Sequence, residues 1–173
     1  MTESYDFAIV GAGIAGASLA AGLAPHGRVA LIEAEDRPGY HATGRSAAFW
    51  TESYGGPLVQ PLTTASRGFF DAHGLLADRG ALTLARAAEA AGLGGFISEF
   101  SALGVRVEQL DRAALERRLA GLRDDWTHAA YEPDCCDIDV GALHQRWLRE
   151  VDAVRSRALS ACDAMLARIA GAP

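Results

Sequence analysis

Three glycines near the amino terminus limit what this chain can become. Gly11, Gly13 and Gly16 form a G-x-G-x-x-G string between two apolar runs. Tyr5–Val10 reads as a buried parallel strand, Ala17–Leu23 as a helix rich in Ala and Leu, and Val29–Ile32 as a second strand ending in Glu33. Pro25, His26 and Gly27 stop the helix between them. Strand, glycine turn, helix and strand in that order make a βαβ unit.

Each residue of the turn then has a mechanical task. Gly11 permits the tight turn, Gly13 lets the backbone approach a pyrophosphate, and Gly16 lets the helix pack close to the strand. Ile14 and Ala15 open the helix, whose free N–H groups and dipole favour an anion. Glu33, followed by Ala34, stands where a carboxylate accepts hydrogen bonds from a ribose diol, and its charge would repel a 2′-phosphate. The expected fold is therefore α/β, a Rossmann-type dinucleotide-binding βαβ unit with additional α+β segments. By itself this unit does not choose between FAD and NAD.

Composition narrows the partners. The chain has 173 residues, of which 50% are hydrophobic and 22% charged, values of an ordinary globular protein. A net charge of −6 disfavours nucleic acid and anionic membrane surfaces. All 16 basic residues are Arg. With no Lys, the chain has neither a Schiff-base lysine nor a P-loop lysine. Cys135, Cys136 and Cys162 form no Cys-x-x-Cys pair, no metal site is expected, and reduced thiols suit a cytoplasmic setting. No signal peptide is expected. The longest apolar stretch, Phe7–Ala24, is broken by glycines and reads as strand, turn and helix, so no transmembrane segment is expected.

Further along, residues 36–64 are rich in Gly, Pro, Ser and Thr and read as a long ordered loop of functional kind. Helices are expected over 65–73, over 87–103 with an interruption at Gly92–Gly95, and over 112–119. The last is capped by Asp111, with Ala114, Leu115 and Leu119 inward. Strands are expected at 81–85, 105–110 and 127–131. Asp139 caps a helix from Val140 to about Val151, and 152–173 reads as one amphipathic helix. No internal repeat is visible.

The loop sequence Arg37-Pro38-Gly39-Tyr40-His41-Ala42-Thr43-Gly44-Arg45-Ser46-Ala47-Ala48 resembles the flavin loop of the D-amino acid oxidase superfamily of FAD-dependent oxidoreductases, and within it the bacterial D-arginine dehydrogenases. Residues 62–71 and 137–145 resemble them too, so the likeness covers roughly 1–149. It implies FAD as cofactor, with Thr43, Gly44, Arg45, Ser46, Ala47 and Ala48 along it and Ser46 near the reactive ring. His41 belongs to the same string and is read as a loop-packing or hydrogen-bonding residue rather than a covalent flavin anchor. The implied reaction is hydride transfer from a substrate Cα–H to the flavin. No catalytic residue is assigned.

Two positions depart from the family. Tyr54 matches its substrate-covering tyrosine, but Phe49 stands where the resemblance implies a histidine, and Ala81 where it implies a glutamate that binds a cationic side chain. The expected substrate is a small molecule, a neutral D-amino acid, with a 2-hydroxy acid open. The electron acceptor is undefined. Beyond Arg149 the likeness fades, so the chain is expected to be an incomplete two-domain flavoenzyme fold: an FAD-binding region over 1–149 with the start of a substrate domain, and a divergent helical tail over 150–173. The alternative is a non-catalytic dinucleotide-binding fragment or interaction module.

Overall fold

The computed structural model describes residues 4–153 and 157–160. The chain divides into two compact units. One is built from residues up to Ala47 together with those from Asp139 onward, and the other is Ala48–Ile138.

The first unit starts with strand β1 (Phe7–Val10), helix α1 (Ile14–Leu23) and strand β2 (Val29–Glu33), as the sequence requires. A short helix α2 (Ala42–Arg45) follows, and helix α6 (Val140–Ala153) and strand β9 (Arg157–Ser160) complete the unit. The sheet is parallel with order β1-β2-β9. Ile9, Val29 and Leu31 from the strands pack with Ala20, Ala21 and Ala24 of α1 and Val151 of α6. Alanines on α1 let helix and sheet approach closely. Ile9 points into this core, while Val10, next along the strand, is 83% exposed on the opposite face.

The second unit holds two antiparallel sheets. Strands β3 (Phe49–Trp50), β8 (Cys136–Ile138) and β4 (Leu76–Asp78) form the first, and β5 (Ala81–Arg86), β7 (Trp126–Glu132) and β6 (Glu108–Asp111) the second. Helices α3 (Gln60–Ala72), α4 (Ala90–Ala102) and α5 (Arg112–Arg118) connect them. Leu93, Phe96 and Ile97 of α4 cluster with Ala85 and Ala130, and Leu115 of α5 clusters with Leu110 and Ala129.

Several sequence expectations are corrected. The loop over 36–64 contains α2, β3 and the first turns of α3, which begins at Gln60 with a proline in its first turn. A 3-10 turn, Ala87–Glu89, precedes α4, and α4 runs unbroken through Gly92, Gly94 and Gly95. There, burial of Leu93 and Phe100 offsets the glycines' poor helix propensity. Of the expected 105–110 strand only Glu108–Leu110 pairs with β7, and the strand runs one residue further, to Asp111 opposite His128. Leu119 follows the last turn of α5 and is exposed rather than inward. Strands β3, β4 and β8 are too short to carry a periodic signal.

The tail differs most. Residues 157–160, expected as helix, form a strand whose backbone pairs with β2 in parallel, so among the described residues a third parallel strand joins the two of the βαβ unit. Helix α6 reaches Ala153, and Val151 joins the first unit's core, so the described part of 150–173 does not stand apart from the fold. The expected helix over 161–173, and with it Cys162, lies outside the described residues.

Candidate cofactor site

The glycine turn is held from four sides. Gly11 sits at φ +92°, a left-handed conformation that favours glycine, and its N–H donates to Ile32 O at 2.7 Å. A Cβ on Gly16 would lie 1.8 Å from Gly11 O, so α1 reaches this close only because position 16 has no side chain. Gly13 is extended and caps α1 without a side-chain bond, and no acidic residue lies in the first helical turn. That leaves the positive end of the helix facing outward.

Glu33 closes the turn from β2. One carboxylate oxygen accepts from the Ala12 N–H at 2.8 Å, the other from the N–H groups of Ala34 at 2.8 Å and Glu35 at 3.1 Å. Burial alone would push this carboxyl up. The backbone donors Ala12, Glu35 and Ala34, with His41 nearby, outweigh it and hold the group below its ordinary value. Glu33 is thus an anion over most of the pH range.

The flavin-type loop packs on the helix start. Buried Thr43 accepts the Ile14 N–H through its hydroxyl at 2.9 Å, and a Cβ on Gly13 would lie 3.2 Å from that same oxygen. Gly44 N–H donates to Gly39 O at 2.7 Å, and Ser46 Oγ donates to Thr43 O at 3.2 Å. Arg45 is exposed, its guanidinium 5.0 Å above the Tyr40 ring, and among the described residues no carboxylate pairs with it. His41 is exposed and bonds Glu35 at 2.7 Å through Nε2, a local contact of the kind expected.

The structure therefore gathers Gly11, Gly13, Ile14, Ala15, Gly16, Glu33, Ala34, Thr43, Gly44, Arg45 and Ser46 in one unit. Ala47 ends that unit and Ala48 begins the next, where its carbonyl accepts the Ile138 N–H at 3.0 Å. The donor set suits an adenine dinucleotide: backbone N–H groups with a helix dipole for a pyrophosphate, an anionic carboxylate for a diol, and an unpaired arginine for phosphate charge. Sequence reasoning missed His144. It is buried on α6, and its Nε2 meets Ala12 O at 2.7 Å.

In the second unit, Phe49 is half-exposed with the Arg79 guanidinium 5.3 Å from its ring centre, and Tyr54 is 74% exposed. Ala81 pairs directly across from Glu132. Glu132 is only 6% exposed, and its two oxygens accept the hydroxyls of Thr51 at 2.9 Å and Ser53 at 2.6 Å. This residue too was missed, since nothing local in sequence links positions 51, 53 and 132. A cavity of about 300 Å³ nearby is lined by Arg67, Arg79, Arg106, Asp78, Asp134 and Cys136. Each of these arginines meets an aspartate, so its charge is balanced. Cys135 and Cys136 are free thiols, and burial pushes both up. Among the described residues no cluster could hold a metal, and no helix is long and apolar enough to cross a membrane.

The fold is similar to that of several solved structures. The fold matches glycine oxidase from Geobacillus kaustophilus with a TM-score of 0.77 at 23% identity, over 92% of this chain and 47% of that one. L-proline dehydrogenase from P. horikoshii matches with a TM-score of 0.78 at 16% identity, over 92% and 45%. NikD, an unusual amino acid oxidase essential for nikkomycin biosynthesis, matches with 0.74 at 24%, over 92% and 44%. The chain thus spans less than half the length of these structures. A sequence model of a family described as FAD dependent oxidoreductase matches residues 6–164, past the point near 149 where the resemblance was expected to fade. With nearly all of its length inside that match, the chain belongs to the DAO family of FAD dependent oxidoreductases.

Proposed function

We propose that this chain carries the adenosine and pyrophosphate half of an FAD site in an oxidoreductase that acts on amino acids. The observation that supports it most is the glycine turn closed by the anionic Glu33 and buttressed by Thr43. Gly13, Ala15 and Gly16 would receive the pyrophosphate, with Ile14 beside it and its N–H given to Thr43. Glu33 and Ala34 would receive the ribose, and residues 43–48 would run along the cofactor with Arg45 offsetting its charge. The chemistry the flavin supplies when bound is acceptance of a hydride from the substrate Cα–H, leaving an imino acid that water converts to a keto acid and ammonia.

The finer reading is a D-amino acid dehydrogenase or oxidase resembling D-arginine dehydrogenase but taking neutral D-amino acids, with 2-hydroxy acids as the competing class. Two observations favour neutral substrates. Ala81 offers no charge, and the carboxylate opposite it, Glu132, is buried and already accepts two hydroxyls. Phe49 adds a ring that can neither donate nor accept a conventional proton. We place the protein in the cytoplasm on its cysteine usage.

A second reading, a dinucleotide-binding module without turnover, draws on the same two positions, Phe49 and Ala81. The test is the visible spectrum of the chain after mixing with FAD and gel filtration, followed by dye reduction with neutral D-amino acids, D-arginine and 2-hydroxy acids. Retained flavin with turnover of a neutral D-amino acid supports the enzyme. Retained flavin without turnover supports the module. A colourless chain that still binds ADP-ribose also supports the module, and a chain that binds neither FAD nor ADP-ribose overturns both.

A further inference from the structure

The two peptides that meet at Ala12 are each gripped, Gly11–Ala12 by its N–H and Ala12–Gly13 by its carbonyl. The Ala12 N–H donates to Glu33 Oε2 at 2.8 Å, and the Ala12 carbonyl lies 2.7 Å from Nε2 of His144. A carbonyl only accepts, so Nε2 of His144 carries the proton and donates. The two bonds flank the Ala12 Cα, His144 Nε2–H to the carbonyl of the Ala12–Gly13 peptide and the N–H of the Gly11–Ala12 peptide to the Glu33 carboxylate, and so hold the turn between Gly11 and Gly13 from both directions. His144 is 7% exposed and lies 132 residues from its partner, so this is a fixed tertiary bond rather than a local turn.

The ring is also seated against the second loop. Gly39 sits at φ +79°, and a Cβ there would fall 2.8 Å from Cε1 and 3.1 Å from Nδ1 of His144. Gly39 O in turn accepts the Gly44 N–H. One imidazole on α6 thus touches both loops that the proposed cofactor site is made of.

We infer that His144 is a positioning residue for the dinucleotide. By holding the Ala12 carbonyl it fixes the plane of the Ala12–Gly13 peptide, and so the direction of the Gly13 N–H. Glu33 fixes the adjoining Gly11–Ala12 peptide, so the two bonds together set the backbone torsions at Ala12. Loss of His144 therefore weakens nucleotide binding without removing any group that touches the ligand. This inference rests on the adenosine and pyrophosphate reading given above.

The experiment measures ADP-ribose and FAD affinity of the full chain, of His144→Ala, His144→Gln, Glu33→Ala and the double variant His144→Ala/Glu33→Ala. Amide exchange at Ala12 is followed in the same proteins. His144→Ala is expected to weaken both ligands about tenfold, the size of one buried hydrogen bond. His144→Gln, which returns an N–H donor at similar reach, is expected to recover most of that. The double variant should lose less than the product of the two single losses, since both hold the backbone at one residue, Ala12. Equal affinity in His144→Ala, no recovery in His144→Gln, or fully independent losses would overturn the inference. If the parent binds neither ligand, the nucleotide reading fails by itself. Ala12 exchange then decides the brace: faster exchange in both single variants upholds it, and unchanged exchange overturns it.

Discussion

The two units keep their polar groups satisfied in opposite ways. Around the glycine turn of the first unit, the bonds run to backbone: Glu33 to the N–H groups of Ala12, Ala34 and Glu35, Thr43 to Ile14, and His144 to the carbonyl of Ala12. In the second unit the central contact is side chain to side chain, with Glu132 clamping the hydroxyls of Thr51 and Ser53. A backbone-gripped turn keeps its shape while the outward N–H groups stay open to a ligand. A carboxylate whose oxygens are taken by hydroxyls is a brace for the segment that carries Tyr54. The first arrangement leaves the helix start without an acidic partner, and the second holds a loop.

The largest effect is expected where the turn has no room. Gly16→Ala puts a methyl 1.8 Å from Gly11 O. It should cost about 3 kcal/mol, the upper range for overpacking, and abolish nucleotide binding. A thermal melt with an ADP-ribose titration checks both. A stable Gly16→Ala protein that binds normally would remove the contrast between a space-limited turn and a side-chain clamp.

Glu132→Ala comes next. It strands two hydroxyls around a buried site and should cost about 1–3 kcal/mol by urea denaturation. Glu132→Gln, which keeps an acceptor and adds a donor, should cost less. Neither should alter ADP-ribose affinity, and a matching loss of affinity would show that the two braces are not separate.

Glu33 sharpens the comparison through pH. Its carboxyl lies below its ordinary value of 4.5 in the folded chain. Its contribution to stability is therefore complete above pH 4.5 and is lost as pH falls from there through the folded-state value. Glu33→Ala should flatten the acid limb of the stability curve in that window, as read by denaturation at successive pH values. An unchanged limb would mean that the three backbone donors contribute nothing in solution. The smallest effect belongs to a plain helix cap. Asp111 accepts the Ala114 N–H at 2.8 Å, and Asp111→Ala should cost about 1 kcal/mol. Nucleotide affinity should stay the same.

These contrasts also explain what the sequence made legible. The βαβ unit was readable because glycine spacing, apolar runs and a terminal acid all fall within 33 residues and each has a local physical cause. Both helix caps, Asp111 and Asp139, were readable for the same reason, and both accept a bond three residues on. His144 and Glu132 were not readable. Each is one ordinary residue whose partner lies far away in the chain, and only the fold brings them together. The strand at 157–160 was hidden because Arg157-Ala158-Leu159-Ser160 suits helix as well as strand. Its pairing with β2, not its own propensity, decides. In the glycine-rich stretch after β2 the short helix α2 was not legible, because it depends on the packing of Thr43 against the start of α1.

The account turns on whether the glycine turn with Glu33 holds an adenine dinucleotide. Calorimetric titration of the chain with ADP-ribose, which has the ribose and pyrophosphate but no flavin ring, tests this most directly against Gly13→Val and Glu33→Ala. The account predicts saturable binding of one nucleotide per chain, a loss of about 1–3 kcal/mol in Glu33→Ala, and no measurable binding in Gly13→Val, whose side chain fills the phosphate approach. Absent binding in the parent, or equal binding in all three, would contradict it.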